Sequence, residues 1–376
     1  MSTNAAPSPH TDPPEALPHH AAWTDSSSAD ALPGAPAVFQ LVDDGGRNVL
    51  LATTQHLRRA VATRLDAPSD RPTRRADLAA VVRGVRWRRV SCAFEARWWH
   101  YRLARRLYPR DYRKRIGFRP AWFLCIDPRD ETEIRVSERV CSEPAAFVGP
   151  WPSSKAAHEA LTGLWDVFDL CRHPEQLRKR PGGLRCAYFD MRRCDAPCDA
   201  TAPREPMAER CRDAWRFACG GAAEWADKAA ARMRQAAQEQ RFEQAALLKT
   251  QIAFARRWAA EWQPKTWPLE RFEFLLVLPA TRRKAWKVFT FEQGSFRDGP
   301  LLKNAEMPAA ARAWAATDET TPGSADATER MEQTWLMAHL LNSREADTAA
   351  IVPLDLVRTN AQDARAALSA AAQRRG

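Results

Sequence analysis

Long apolar runs are missing from this 376-residue chain, and no stretch approaches the roughly 20 residues needed to cross a bilayer. The sequence therefore predicts no membrane span. The N-terminus lacks a charged start followed by an apolar core, so it does not read as a secretory signal. A cytoplasmic protein is expected, with its nine cysteines kept reduced rather than paired as disulfides. Lysine is scarce beside arginine. Together they number 57 against 46 acidic residues, for a net charge of +11. The planar guanidinium fork suits phosphate, so nucleic acid is weighed first, against a merely solvated basic surface. The length leaves room for two or three domains with real cores. The 15 tryptophans are assigned to core and interface packing before ligand stacking.

Composition and periodicity divide the chain into segments and predict an α+β fold. Residues 1–35, rich in Pro, Ala, Ser and His, read as a disordered tail. AVFQLV and NVLLAT around Asp43-Asp44-Gly45-Gly46 read as a β-hairpin. Residues 55–65 follow as a helix, with Leu57, Val61 and Leu65 on one face. After a Pro/Arg loop, a short helix from Asp77 to Val82, a strand at 85–94 and a helix at 95–108 complete a unit over 36–120. Residues 121–205 hold strands at PAWFLCID, Arg135–Cys141 and AAFVGPWP, then a helix capped by Ser153 or Ser154, then a cysteine-rich loop. Helices occupy 206–262, a small β element 268–302, and a linker with a helical tail 303–376.

The cysteine-rich loop is the strongest chemical signal. Cys171, Cys186, Cys194 and Cys198 stand among Arg172, Arg178, Lys179, Arg180, Arg185, Arg192 and Arg193. Four thiolates suit tetrahedral zinc, but zinc sites normally show two closely spaced cysteine pairs. Only the last pair is close here, and the open spacing suits a larger cluster. Cys211 and Cys219 lie on a helix and read as packing residues, as do Cys125 and Cys141 in strands.

Ordered motifs over 37–255 carry a family resemblance. PAVFQLVDDGGRNVLL, LYPRDYR, FVGPWPSSKAAHEAL, the closing C-x7-C-x3-C and MRQAAQEQRFEQAALLKTQI together resemble the N-terminal half of the UvrC proteins of the excinuclease ABC system and their shorter Cho-like relatives. The resemblance implies a GIY-YIG nuclease domain, a [4Fe–4S] cluster on the four cysteines and a UVR helical hairpin. It also implies a UvrB-like partner met through Phe242, Glu243, Ala245 and Ala246. Family chemistry is Mg²⁺- or Mn²⁺-dependent cleavage of DNA on the 3′ side of a lesion. A glutamate holds the cation, arginine neutralises the phosphate and a tyrosine helps activate water.

This chain departs from the family at those catalytic positions. The two tyrosines fall on Phe39 and Leu50, the arginine on Ala60 and the metal glutamate on His100. The expected nuclease site is degenerate. The alternative is an active endonuclease rebuilt from Glu95, Arg59 and His100. A cationic stripe of Arg97, Arg102, Arg105, Arg106, Arg110, Arg113, Lys114 and Arg115, interleaved with aromatics, is expected to contact DNA phosphates without reading sequence. Nothing in 268–376 resembles the family's second nuclease domain or its DNA clamp.

Overall fold

A computed structural model of the chain describes residues 17–65, 78–140, 145–317 and 326–373. The fold is α+β, built on three four-stranded antiparallel sheets. Among the described residues no helix is long and apolar enough to cross a membrane.

Strands β1 (His19–Ala22), β2 (Ala37–Val42), β3 (Asn48–Thr54) and β4 (Gly84–Arg89) form the first sheet, in the order β1-β4-β2-β3. Asp43 shapes the β2–β3 turn. Its carboxylate accepts from the Arg47 amide at 2.9 Å and guanidinium at 2.8 Å, while Gly46 supplies a φ of 72°. The period-2 alternation of β2 sends Phe39 and Leu41 to one face, where α1 (Leu57–Leu65) packs through Leu57, Val61 and Leu65. Val38 joins the other core, with α2 (Ala93–Leu107).

Within the tail expected over 1–35, the described residues from Leu17 onward are built into the first unit. Residues 1–16 lie outside the described residues, but Leu17, Trp23 and Leu32 are buried. His19–Ala22 pairs with the Gly84–Trp87 stretch, and His19 stacks on Trp87 at 5.5 Å. Isolated apolar anchors hold a segment whose average composition is polar. The expected helix before β4 is a turn over its described part, while Asp77 and the Pro/Arg loop lie outside the described residues.

A short helix, α3 (Tyr112–Arg115), leads to the second sheet. It is formed by β5 (Trp122–Asp127), β6 (Asp130–Ser137), β7 (Ala146–Trp151) and a late contribution, β8 (Trp267–Pro268), in the order β6-β5-β7-β8. Strand β6 begins earlier than expected, and Cys141 lies outside the described residues. One sheet face packs α4 (Ser154–Phe168), whose Ser153 cap accepts from the Ala156 amide at 3.1 Å. Two one-turn helices, α5 (Pro174–Leu177) and α6 (Ala187–Asp190), interrupt the cysteine loop. Then come α7 (Glu205–Arg216) and the antiparallel pair α8 (Ala222–Gln238) and α9 (Phe242–Arg257).

In the C-terminal third the strands of the expected small β element belong to a larger sheet, helices are present where the helical tail was expected, and part of the expected linker is also helical. Strands β9 (Phe274–Pro279), β10 (Ala285–Glu292), β11 (Ser295–Lys303) and β12 (Ala350–Pro353) form one sheet, in the order β11-β10-β9-β12. The Asp298-Gly299-Pro300 turn expected there lies inside β11, where register with β10 slips between Lys287 and Phe289. Helices α10 (Met307–Ala315), α11 (Ala327–Leu341), α12 (Arg344–Thr348), α13 (Leu354–Thr359) and α14 (Ala361–Gln373) complete the domain. Helices α10, α13 and α14 cover one sheet face through Met307, Val357 and Leu368. The other face, with Phe274, Phe289, Phe291 and Phe296, packs on α2 of the first unit.

Helix α11 is wedged among all three sheets. Every residue from Met331 to Ala338 is buried, as expected of a helix with no solvent face. Leu336 and Met337 meet the α2 core, while Met331, Trp335 and Ala338 meet Phe123 and Phe147 of the second sheet.

Candidate functional site

The hairpin positions expected to be catalytic form an apolar cluster. Phe39 is fully buried, with Leu50 and Ala60 packed against the same core. His100 is separated from them: it sits on α2 against β3, bonded to the Leu51 backbone. Burial pushes its imidazole below the ordinary range, so it is neutral. None of these four residues offers a carboxylate to a cation or a hydroxyl to water.

Nor are the proposed substitutes brought together. Arg59 is exposed on α1, on the sheet face opposite α2. Glu95 opens α2 and is 5% exposed. It accepts from the Ser91 amide at 2.5 Å, while the Cys92 thiol caps the helix by accepting from the Glu95 amide at 3.4 Å. Lys287 of β10 stands 3.5 Å from the Glu95 carboxylate and 2.6 Å from that of Asp298, and donates to the Gly299 carbonyl at 2.7 Å. Burial raises the Glu95 carboxyl above its usual value despite Lys287.

The cationic stripe expected to meet DNA is in part a domain interface. Arg97 pairs with Glu345 at 2.7 Å. Arg105 reaches Asp326 at 2.7 Å, Glu329 at 2.6 Å and Glu332 at 3.6 Å. Arg113 reaches Glu332 at 2.5 Å, and Arg115 reaches Asp111 at 2.7 Å. Arg102 lies over Trp98 and Trp99 at 4.9 and 4.8 Å. Arg106, Arg110 and Lys114 are exposed. The fully buried Glu332 also accepts from Tyr101 at 2.7 Å and from Tyr112. Burial and the Glu332 carboxylate push the Tyr101 hydroxyl far above the phenol range, so it remains a donor.

In the cysteine loop the Cys171 and Cys194 thiols lie within electrostatic reach of each other and of Cys186 and Cys198. Burial pushes Cys171 up to about 11, and Cys194, Cys186 and Cys198 add to that rise. Cys194 is raised by burial and then by Cys186 and Cys198. Among the described residues no three His, Cys, Asp or Glu side chains form a single-ion site. The Gly183 amide bonds the Cys198 carbonyl at 3.2 Å and closes the loop. A Cβ at Gly183 would stand 2.3 Å from the Gln176 carbonyl, so only glycine fits. Arg192, Ala196 and Ala200 hold φ values of 55°, 53° and 65°, an unusual density of left-handed non-glycine residues. Of the loop's cations, Arg172, Arg178, Arg185 and Arg193 pair with Asp166, Glu133, Asp199 and Asp169. Cys211 and Cys219 pack in the adjoining core, with Cys211 fully buried, and Cys125 is equally buried in β5.

On the α8–α9 pair, Ala229, Ala230, Leu248 and Ile252 make the internal seam. Phe242 is 67% exposed; Glu243 and Ala246 are exposed and Ala245 is half-buried.

Residues 121–217 match the family described as "UvrC/Cho excinuclease, middle domain", a stretch that contains all four loop cysteines. The chain is excinuclease C-like. The UvrABC system protein C of Methylococcus capsulatus is 26% identical over 229 residues, 60% of this chain and 37% of that protein. The namesake from Syntrophotalea carbinolica is 31% identical over 131 residues, 34% of this chain and 21% of that protein. That of Oleidesulfovibrio alaskensis is 26% identical over 238 residues, 62% and 33% of the two. The matches thus span about a third of these relatives' length or less. No solved structure matches.

Several residues that shape this excinuclease C-like chain escaped the sequence reading. Lys287, Asp326, Glu329 and Glu332 each pair with a residue more than 190 positions away, and no local pattern marks such partners. Leu247, 54% exposed on α9, was visible as an apolar residue off the Leu248/Ile252 stripe.

Proposed function

We propose that this chain is a DNA-binding protein of nucleotide excision repair whose GIY-YIG-like unit does not cut. The observation that carries this reading is the Glu95 carboxylate, buried against Lys287 and the Ser91 amide rather than open to a hydrated cation. With Phe39, Leu50, Ala60 and His100 at the remaining positions, a Mg²⁺ or Mn²⁺ ion has no carboxylate through which to stabilise charge on phosphate. The alternative, an endonuclease rebuilt from Glu95, Arg59 and His100, requires Glu95 to leave its ion pair and Arg59 to act across the sheet.

Cys171, Cys186, Cys194 and Cys198 would hold a [4Fe–4S] cluster. The reading is supported by the open spacing of the four cysteines and by thiols that lie within electrostatic reach of one another. It is supported also by the left-handed residues at Arg192, Ala196 and Ala200, since such strain persists where a site over-determines the backbone. Bound there, the cluster cross-links a loop of little apolar content. The α8–α9 tip, with Phe242 and Leu247 bare, would dock a UvrB-like helical partner with Glu243, Ala245 and Ala246 at its edge.

Binding of duplex DNA by the anaerobically purified chain in EDTA tests the reading. Binding that persists without divalent metal and weakens with salt is expected. A chain loaded with iron that binds no DNA contradicts it.

A further inference from the structure

The tip joining β9 to β10 carries Arg282, Arg283 and Lys284, and the end of β11 brings Lys303 beside them. The Asn304 amide donates to the Lys284 carbonyl at 2.9 Å, and the Trp286 indole donates to the Asn304 side chain at 2.8 Å. These bonds fix the two chain segments around a cleft of about 560 Å³, lined by the four cations with Leu301 and Leu302. All four cations are exposed. Among the described residues their side chains make no hydrogen bond or ion pair, whereas Arg97, Arg105, Arg113 and Arg178 are all matched by carboxylates. Lys284 also holds a φ of 56°, where glycine or asparagine is the usual occupant. The Thr281 amide donates to the Ser91 carbonyl at 2.6 Å. That bond seats the tip beside the β4–α2 junction, two residues from the exposed Arg89.

We propose that this cleft binds the phosphate backbone of nucleic acid, so that the C-terminal domain supplies contacts that Arg97, Arg105 and Arg113 do not make. The inference rests on the DNA-binding reading and adds a site to it. Four unmatched cations on a rigid two-stranded ribbon present the charge and shape that a duplex backbone accepts. The guanidinium forks of Arg282 and Arg283 can each hold a phosphate bidentately, and the regular succession of charges along a duplex backbone supplies a partner for all four cations at once. The contacts are to backbone, and binding there is independent of sequence.

The test uses the full chain and a labelled duplex of ~30 base pairs, followed by fluorescence anisotropy between about 50 and 200 mM salt. The cleft variant combines Arg282→Ala, Arg283→Ala, Lys284→Gly and Lys303→Ala; the glycine suits the left-handed position. A charge-matched variant combines Arg234→Ala, Lys249→Ala, Arg256→Ala and Lys265→Ala, exposed cations of the helical region. The cleft variant should bind at least about tenfold more weakly, with a salt slope shallower by about three, while the matched variant stays within about twofold. Equal loss in both variants, or no loss in the first, overturns the cleft. Polyglutamate displacing the duplex at equal charge overturns the nucleic-acid assignment in favour of an acidic protein. A failure of DNA binding altogether appears in the unmutated chain, which distinguishes it from failure of the cleft alone.

Discussion

The ammonium of Lys287 stands 3.5 Å from the carboxylate of Glu95. One residue lies on a strand of the C-terminal sheet and the other on the first turn of the helix that a nuclease of this kind would use. The pair is buried and joined by Asp298 at 2.6 Å. A charge in that position needs its partner, because desolvation costs several kcal/mol per ion.

Lys287→Met should therefore destabilise the chain by about 2–4 kcal/mol, since it removes the ammonium set between Glu95 and Asp298 and leaves only the half-buried Arg88 guanidinium to offset the two carboxylates. Urea unfolding measures this. A loss below about 1 kcal/mol would mean that Glu95 is hydrated and available.

The same burial predicts a pH dependence. The folded-state pKa of Glu95 is raised above its unfolded value, so its contribution is fully present below the unfolded pKa and is lost as pH rises through the folded one. Wild type should lose stability relative to Glu95→Gln as pH climbs from about 4.5 towards neutrality. Parallel stability curves for the two proteins across that window would refute the assignment.

Glu332→Leu should cost about 3–5 kcal/mol, because Tyr101, Tyr112, Arg105 and Arg113 lose a shared buried acceptor. Thermal unfolding should show the loss. A change near zero would mean that α11 is held by its apolar residues alone.

Iron and acid-labile sulfide in the anaerobic protein should be about four each per chain. Serine at Cys171, Cys186, Cys194 or Cys198 should lower both, while Cys211→Ala should keep them. Zinc at one per chain without sulfide would replace the cluster by a single-ion site.

Phe242→Ala should leave stability within about 0.5 kcal/mol, the ordinary range for an exposed position, and abolish capture of a UvrB-like helical hairpin. Capture that survives this change, checked by surface plasmon resonance, would place the docking face elsewhere.

Local signals carried the first two-thirds of the fold. The Asp43–Gly46 turn, the apolar stripe Leu57/Val61/Leu65 and the Ser153 cap are contained within a few residues, so their elements were legible. The last third was not, for a physical reason that α11 shows. Glu332, Gln333 and Thr334 are polar yet buried, and Glu332 finds its partners far away in sequence, on α2 and α3. Strand β12 is four residues long and pairs with a strand more than 70 positions earlier, below what periodicity detects. The same limit applied to the site: the substitutions at Phe39, Leu50, Ala60 and His100 were visible, but not that Arg105 and Arg113 are matched by acids. The four loop cysteines stand out in the sequence by residue type and by the cations around them.

The most direct test of the account is nicking of lesion-containing supercoiled plasmid by the anaerobic, iron-loaded chain with Mg²⁺ or Mn²⁺, beside Glu95→Gln and His100→Ala. No metal-dependent nicked circles are expected from any of the three proteins, while the wild type still binds the plasmid. Metal-dependent nicking by the wild type that disappears in Glu95→Gln or His100→Ala would contradict it and mark α2 as the helix of a working nuclease.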